Sequence, residues 1–455
     1  MRAPLSRWLV LTLVGLCAAP SWAEAGSRRR VRRGGSGSMG LAAMPLKSEE
    51  AVLAALAAAP AGGTVLLPYG AFRTAIVIDR PLTLLGHPWG TTLDATGRGR
   101  PAIEILPGVT DVVVDGVCVT GSGVEGIRVG ADAARITIRR ATVLGSALQG
   151  LLVGRAEDVT VDLATFENNA GGGLEVGAKG AHLTRLALRG NGASQARLAG
   201  EDVELTDATF VGGATGVSFA GLRGAAFRCA FRDVDVPARF EATSDTCTFS
   251  RADVRGARTL AIAEDGSTYD AIVENRVAGT SSDGIVLAGT WHTVARNVLA
   301  DVRGGGIVGT GESLRIQENE VLRAAGDGVR LEGAGNTVDG NYLQAPTGVG
   351  VRITGDACIV ALNVCQDGRA GGLSVSGLMN RVVGNRIRTV RGVGILVAGD
   401  ANTLQDDWVE AATEAGIRVA SGAGNRLQTN SIVRCPGRGL DDLGVDTILD
   451  RNRIE

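Results

Sequence analysis

Arg330 and Arg352 are the residues of this sequence whose types and spacing most suggest chemistry. Each is third in a short run, "GVRLEG" from Gly328 and "GVRITG" from Gly350, so they recur 22 residues apart. Planar guanidinium forks at a fixed spacing suit a carboxylate or a sulfate, because each fork can bind two oxygens at once. Glu332 and Asp327 are close enough in sequence to neutralise them instead. These four residues therefore read either as a clamp for an acidic ligand or as a solvated ion-pair face. Tyr342 and Trp408 stand at equivalent places three periods apart. Exposed aromatics at such a spacing can stack on flat ring faces; burial under a loop is the other reading. Six cysteines follow Cys17, and with His87, His182 and His292 they show no metal-ligand spacing. No metal and no cofactor is expected, and no residue is singled out as catalytic.

These residues must be positioned by a repeat. Gly284, Gly306, Gly328, Gly350, Gly372, Gly394 and Gly416 keep a 22-residue beat. Asn275, Asn297, Asn319, Asn341, Asn363 and Asn385 keep the same beat, and Asp407 takes the next place. A second series holds Asn336, Asn380, Asn402 and Asn425, with Cys358 in the missing slot. A sustained period of this length is the signature of a stacked array. Within one period, Val329–Glu332, Thr337–Asp339 and Tyr342–Gln344 read as three short strands. Strand side chains alternate between faces, so the apolar members form three inward ladders. The asparagines fall at corners. There they are expected to adopt left-handed backbone and to bond one another along the stack. The glycines open the other corner, where a Cβ would crowd the bend. Counting such periods gives about 15 to 16 rungs and a rod on the order of 70–75 Å.

The first residues read as an address. A basic start, a short apolar run and small residues before Ala23 make 1–23 a secretory signal peptide. The segment 24–44 carries five arginines among glycine and serine and reads as a disordered linker. The domain proper is 45–455. Pro45 to Ala59 predicts a short helix, with Ser48 as its cap, that covers the first rung. The last rung at Glu455 looks open, and association through that end is expected. No segment after the signal is long and apolar enough to span a bilayer. Net charge is −2 with 67 glycines in 455 residues and lysine only at 47 and 179. Nothing in that balance suggests nucleic acid.

The 22-residue rung, the "GNTVDGN" corner and the entry "GTVLLPYGAFRTAIVIDRPLTLLG" resemble right-handed parallel β-helix proteins of the pectate-lyase-like superfamily. NosD-like periplasmic β-helix proteins are the most similar group. The resemblance covers 45–455 and implies an all-β, single-stranded parallel solenoid with a short N-terminal capping helix. It implies far less about activity, because the shared motifs are corners and core. The Gly-His-Gly and Asp-Pro-His signatures of its polygalacturonase-like and epimerase-like members are absent. Asp441 and Asp442 form a lone acid pair. The resulting expectation is an exported protein, periplasmic, cell-surface or extracellular, that serves without catalysis as a polysaccharide-binding or cell-envelope scaffold, its partner a polysaccharide or cell-envelope glycan. The alternative is a lyase or glycoside hydrolase acting on acidic glycans, with its site on the first-strand face.

Overall fold

The computed structural model describes residues 46–88 and 90–455, so the segments expected to be a signal peptide, 1–23, and a linker, 24–44, lie outside the described residues. Every turn from Val329 onward repeats the three strands read from the sequence: Val329–Glu332, Thr337–Asp339 and Tyr342–Gln344 are followed by Val351–Thr354, Ile359–Ala361 and Val364–Gln366. Each strand pairs in parallel with its counterpart one turn away, which builds three sheets of 19, 17 and 18 strands. There are about 18 turns rather than 15 to 16. At about 4.8 Å per turn the solenoid is roughly 85 Å long. The extra turns come from the N-terminal part, where the period is irregular. Leu82 pairs with both Gly63 and Val112, so successive turns there differ greatly in length. No fixed beat marks them in the sequence.

The inward ladders form the core. Ile307, Val329 and Val351 on the first sheet, Ile316, Val338 and Val360 on the second, and Leu343 on the third are fully buried. Cys365 continues the third ladder and is itself buried. All six described cysteines are free thiols. In the middle of the solenoid the core is aromatic. Phe210 stacks on Phe231 with ring centroids 4.5 Å apart, and Phe219 on Phe240 at 4.8 Å.

A helix, Glu50–Ala58, covers the first turn with Val52 and Leu56. It begins after Glu49 rather than at Ser48, although Ser48 Oγ still accepts from the Glu50 N–H at 3.2 Å. Arg80 ties down its far end by donating to Leu56 O and, at 3.0 Å, to Ala59 O. At the opposite end of the solenoid Leu443, Val445, Ile448, Leu449 and Ile454 are at least half exposed.

The corner asparagines form a continuous amide ladder. Nδ2 of Asn275, Asn297, Asn319, Asn341 and Asn363 each donates to the Oδ1 of the next asparagine at 3.0 Å. The left-handed residue, however, is the one before each asparagine. Glu274, Arg296, Glu318, Leu362 and Asp406 have φ of +53° to +58°. The asparagine itself turns inward, where one donor and its acceptor meet backbone groups that the bend leaves unpaired and the other donor meets the next asparagine, as Asn341 does with Ile316 O, the Asn319 N–H and Asn363 Oδ1. The glycine corner is steric, as expected: a Cβ on Gly306 would lie 2.4 Å from Gly328 O in the next turn.

Asp407 breaks the amide ladder. Its Oδ1 accepts from Asn385 Nδ2 at 2.9 Å and from the Asn385 N–H at 2.8 Å. Its Oδ2 is buried without a hydrogen-bond partner. In the following turn the equivalent Asn430 Nδ2 donates to Leu404 O and to Asn452 Oδ1. By this register Oδ2 of Asp407 meets acceptors, and only a protonated carboxyl satisfies them. Burial accordingly pushes its pKa up to about 7, from 3.8. The folded chain keeps this proton across that window while the unfolded chain loses it, so stability falls as pH rises from the ordinary aspartate range to about 7. Asp407→Asn should abolish that fall and stabilise the protein at pH 8 by about 4 kcal/mol. Thermal unfolding at pH 4.5 and pH 8 checks this; parallel pH dependence in both proteins would contradict it.

Candidate functional site

The outward side chains of the first sheet form one line along the solenoid. Arg330 stands between Val308 and Arg352 in this line, each pair joined in register. The two arginines are therefore neighbours across one strand spacing, about 4.8 Å. They differ in partners. Arg352 Nε donates to Asp327 Oδ2 at 2.8 Å, and Asp327 Oδ1 accepts from the Val349 N–H at 2.7 Å. Asp327 is thus saturated by Arg352 and the backbone. Glu332 is exposed, lies in register with Thr310 and Thr354, and forms no ion pair with either arginine. The Arg330 side chain has no ion pair or hydrogen bond among the described residues and is exposed.

Arg330 lines a pocket of about 280 Å³ together with Asp283, Arg303, Val308 and Asp327. Gly304, Gly305, Ala325 and Gly326 complete its wall. Asp283 Oδ1 accepts from the Gly305 N–H at 2.6 Å, so this carboxylate is also held by backbone. A Cβ at Gly304 would come within 2.3 Å of that oxygen, which explains the glycine. Arg303 is exposed and, like Arg330, has no carboxylate partner among the described residues. The pocket therefore joins two unpaired guanidinium groups to two acids that are already engaged. Asp283 and Arg303 were missed from the sequence because they sit in the loops "SSDG" and "RGGG", outside the strand pattern.

Elsewhere on the same face the charges are closed. Arg197 donates to Glu175 at 2.9 Å and, through two nitrogens, to Glu241 at 2.9 and 2.8 Å. Ser218 Oγ donates to Glu241 at 2.6 Å. Burial raises the Glu241 pKa, but these bonds outweigh it and hold the carboxyl below its usual range. A larger pocket, about 500 Å³, lies beside the capping helix. Its arginines are engaged as well: Arg98 with Glu49, Arg100 with Glu104 at 2.8 Å, and Arg80 with the helix end.

Tyr342 and Trp408 fall on one outward line of the third sheet, three turns apart, and both are half-buried. Trp408 is occupied by its own chain: the Arg386 guanidinium lies 4.3 Å from its ring and that of Arg388 5.6 Å. His182 is exposed beside Glu204, and His87 is an exposed turn residue. His292 is buried in the second corner series. Its Nδ1 accepts from the Asp270 N–H at 3.2 Å, and Nε2 lies 3.0 Å from Ala288 O and 3.2 Å from Ser267 Oγ. Nδ1 is an acceptor there, so Nε2 carries the proton and cannot take one from the serine. Ser267, His292 and Asp270 are a corner filling and not a nucleophilic triad.

The fold is that of a right-handed parallel β-helix. Residues 305–454 match the family model of the right handed beta helix region. The curated proteins contain no match to this chain. The N-terminal fragment of bacteriophage phi29 gene product 12 is similar at a TM-score of 0.53 and 10% identity, over 86% of this chain and 89% of that one. An alginate lyase from Paenibacillus aligns at a TM-score of 0.43 and 13% identity, over 50% of this chain and 93% of that one. The A-module of a mannuronan C-5 epimerase from Azotobacter vinelandii aligns at 0.36 and 14%, over 90% and 94%. At these identities the likeness is one of fold. No helix of the described residues is long and apolar enough to cross a membrane, and those residues contain no group of three or more metal-ligating side chains.

The contrast between Asp327, which has partners, and the Arg330 side chain, which has none among the described residues, gives a test of the site. Asp327→Ala removes an acceptor from both Val349 N–H and Arg352, and should cost about 1–2 kcal/mol. Arg330→Ala should leave stability within about 0.5 kcal/mol. Thermal unfolding of both variants checks the ordering, and an Arg330 variant as unstable as the Asp327 one would refute it.

Proposed function

We propose that this chain is an exported β-helix protein that binds an acidic polysaccharide along its first-strand face, with Arg303 and Arg330 as the anchor. Residues 1–23 serve as the export signal, 24–44 as a tether and 45–455 as the binding body. The observation that carries the reading is the pocket lined by Arg303 and Arg330. Neither guanidinium has a protein counter-charge, while the carboxylates beside them are held by backbone N–H groups and Arg352. A uronate or sulfate supplies the missing charge, and planar forks bind such groups through two oxygens. Arg352, already neutralised by Asp327, contributes shape more than charge. The repeat along the axis suits a polymer, because successive turns present equivalent positions to successive sugars.

A second reading is cleavage of the same glycan. It is favoured by the carboxylates Glu175 and Glu241, which flank Arg197 on the same sheet face. One experiment separates the two. The protein without residues 1–23 is titrated with polygalacturonate, alginate and dextran sulfate at low salt, while absorbance at 232 nm and reducing ends are followed. The binding reading expects saturable binding without either signal, weakened at least about tenfold by Arg330→Ala, or about 1.4 kcal/mol. Binding that is indifferent to Arg330→Ala sinks the proposed anchor, and a rising 232 nm signal replaces binding by lyase action.

A further inference from the structure

The corner before the second strand carries one residue per turn in left-handed backbone. Part of this column reads Tyr269, Trp291, Ser313, Gly335 and Ala357, with φ between +53° and +67°. Bulky side chains are outliers in that region, whereas glycine is at ease there. The glycine, alanine and serine in neighbouring turns show that the coil needs no ring at this position. Yet two consecutive turns carry one. The Tyr269 and Trp291 rings stack with centroids 5.9 Å apart and planes 11° from parallel. They remain 56% and 45% exposed, so they seal no core.

The surroundings complete a site. On the side of Trp291 away from Tyr269, the column continues with Ser313, Gly335 and Ala357, three small residues that leave room beside the indole. The residues just before the column are polar. Asp245, Thr268 and Thr290 are bridged turn to turn, and Glu312 O accepts from the Trp291 N–H at 3.1 Å. Asp245 already accepts from Thr246 Oγ1 at 2.9 Å and Thr268 Oγ1 at 3.3 Å. Thr290 and the exposed Glu312 are therefore the groups next to the indole that remain to bond a ligand.

We propose that the Tyr269–Trp291 stack is a binding site for a neutral pyranose ring, separate from the arginine pocket. The apolar C–H face of such a sugar covers the indole, as a third ring would in the stack. Its hydroxyl groups meet Thr290 and Glu312. Asp245 and Glu312 repel a uronate or sulfate, so this corner selects against the charge that Arg303 and Arg330 attract. The chain would then hold two kinds of glycan on different faces. This inference stands on the aromatic pair alone and does not need the acidic-glycan reading to hold.

The test titrates the protein without residues 1–23 with hexasaccharides of β-1,4-linked glucose, β-1,3-linked glucose and N-acetylglucosamine, read by tryptophan fluorescence and by saturation-transfer NMR. At least one should bind, and Trp291→Gly should weaken it tenfold or more. Arg330→Ala should leave that affinity unchanged. Trp291→Gly should also keep or raise the unfolding temperature, because glycine fits the left-handed backbone. Three outcomes overturn the proposal. One is that none of the three sugars binds. Another is binding that survives Trp291→Gly. The third is a clear fall in unfolding temperature in that variant, which would make the stack a structural brace.

Discussion

The hydrogen bond from one corner asparagine to the next is the interaction on which the rest of this structure depends. A parallel coil of three-residue strands has little backbone pairing per strand and must bend sharply three times per turn. Each bend leaves N–H and C=O groups that no strand partner reaches, and burying them unpaired is costly. Asn341 shows how the cost is avoided. Its Nδ2 donates to Ile316 O at 2.8 Å and to Asn363 Oδ1 at 3.0 Å, while its own Oδ1 accepts from the Asn319 N–H at 2.9 Å. One side chain thereby ties three turns together. The apolar ladders then need only fill the space between.

Much of this was legible in the sequence, because the ladder imposes a period. A residue that must contact its own equivalent one turn away has to recur at the turn length, and that fixes Gly328, Asn336 and Asn341 along with the strands between them. The inward residues of the regular turns follow from alternation. What the period does not enforce was not legible. The N-terminal turns vary in length, as the pairings of Leu82 with Gly63 and with Val112 show, so no beat marks them. The left-handed conformation falls on Glu318 and Leu362, residues with no turn preference, because the following asparagine satisfies the bend for them. His292 fills an asparagine's place in the second corner series, which its lack of metal-ligand spacing did not disclose.

The candidate sites were less legible than the fold. Arg330 and Arg352 could be matched across turns, but their different fates turn on Asp327, whose loop position decides which arginine it reaches. Arg303 lies in an irregular loop and only the folded coil brings it to Arg330. Trp408 stood out by spacing, yet Arg386 and Arg388 lie on the same sheet and cover it. Tyr269 and Trp291 are close in space for the same reason the asparagines are, one turn apart in one column. They were hidden because that column keeps no residue type, with Arg223, Thr246, Ser313, Gly335 and Met379 in other turns, and so has no periodic signal. A solenoid gives each outward position freedom from the core, so chemistry can be placed on any face without disturbing the period.

Amide hydrogen exchange of Asn341→Ala tests the central claim most directly, because the claim is that one buried amide couples three turns. The account predicts faster exchange on both sides of the substitution, in the turns holding Asn319 and Asn363, with turns farther along the coil still protected. Exchange that changes only at residue 341 itself, or a variant indistinguishable from the parent, would contradict it and leave the apolar ladders as the element that holds the coil.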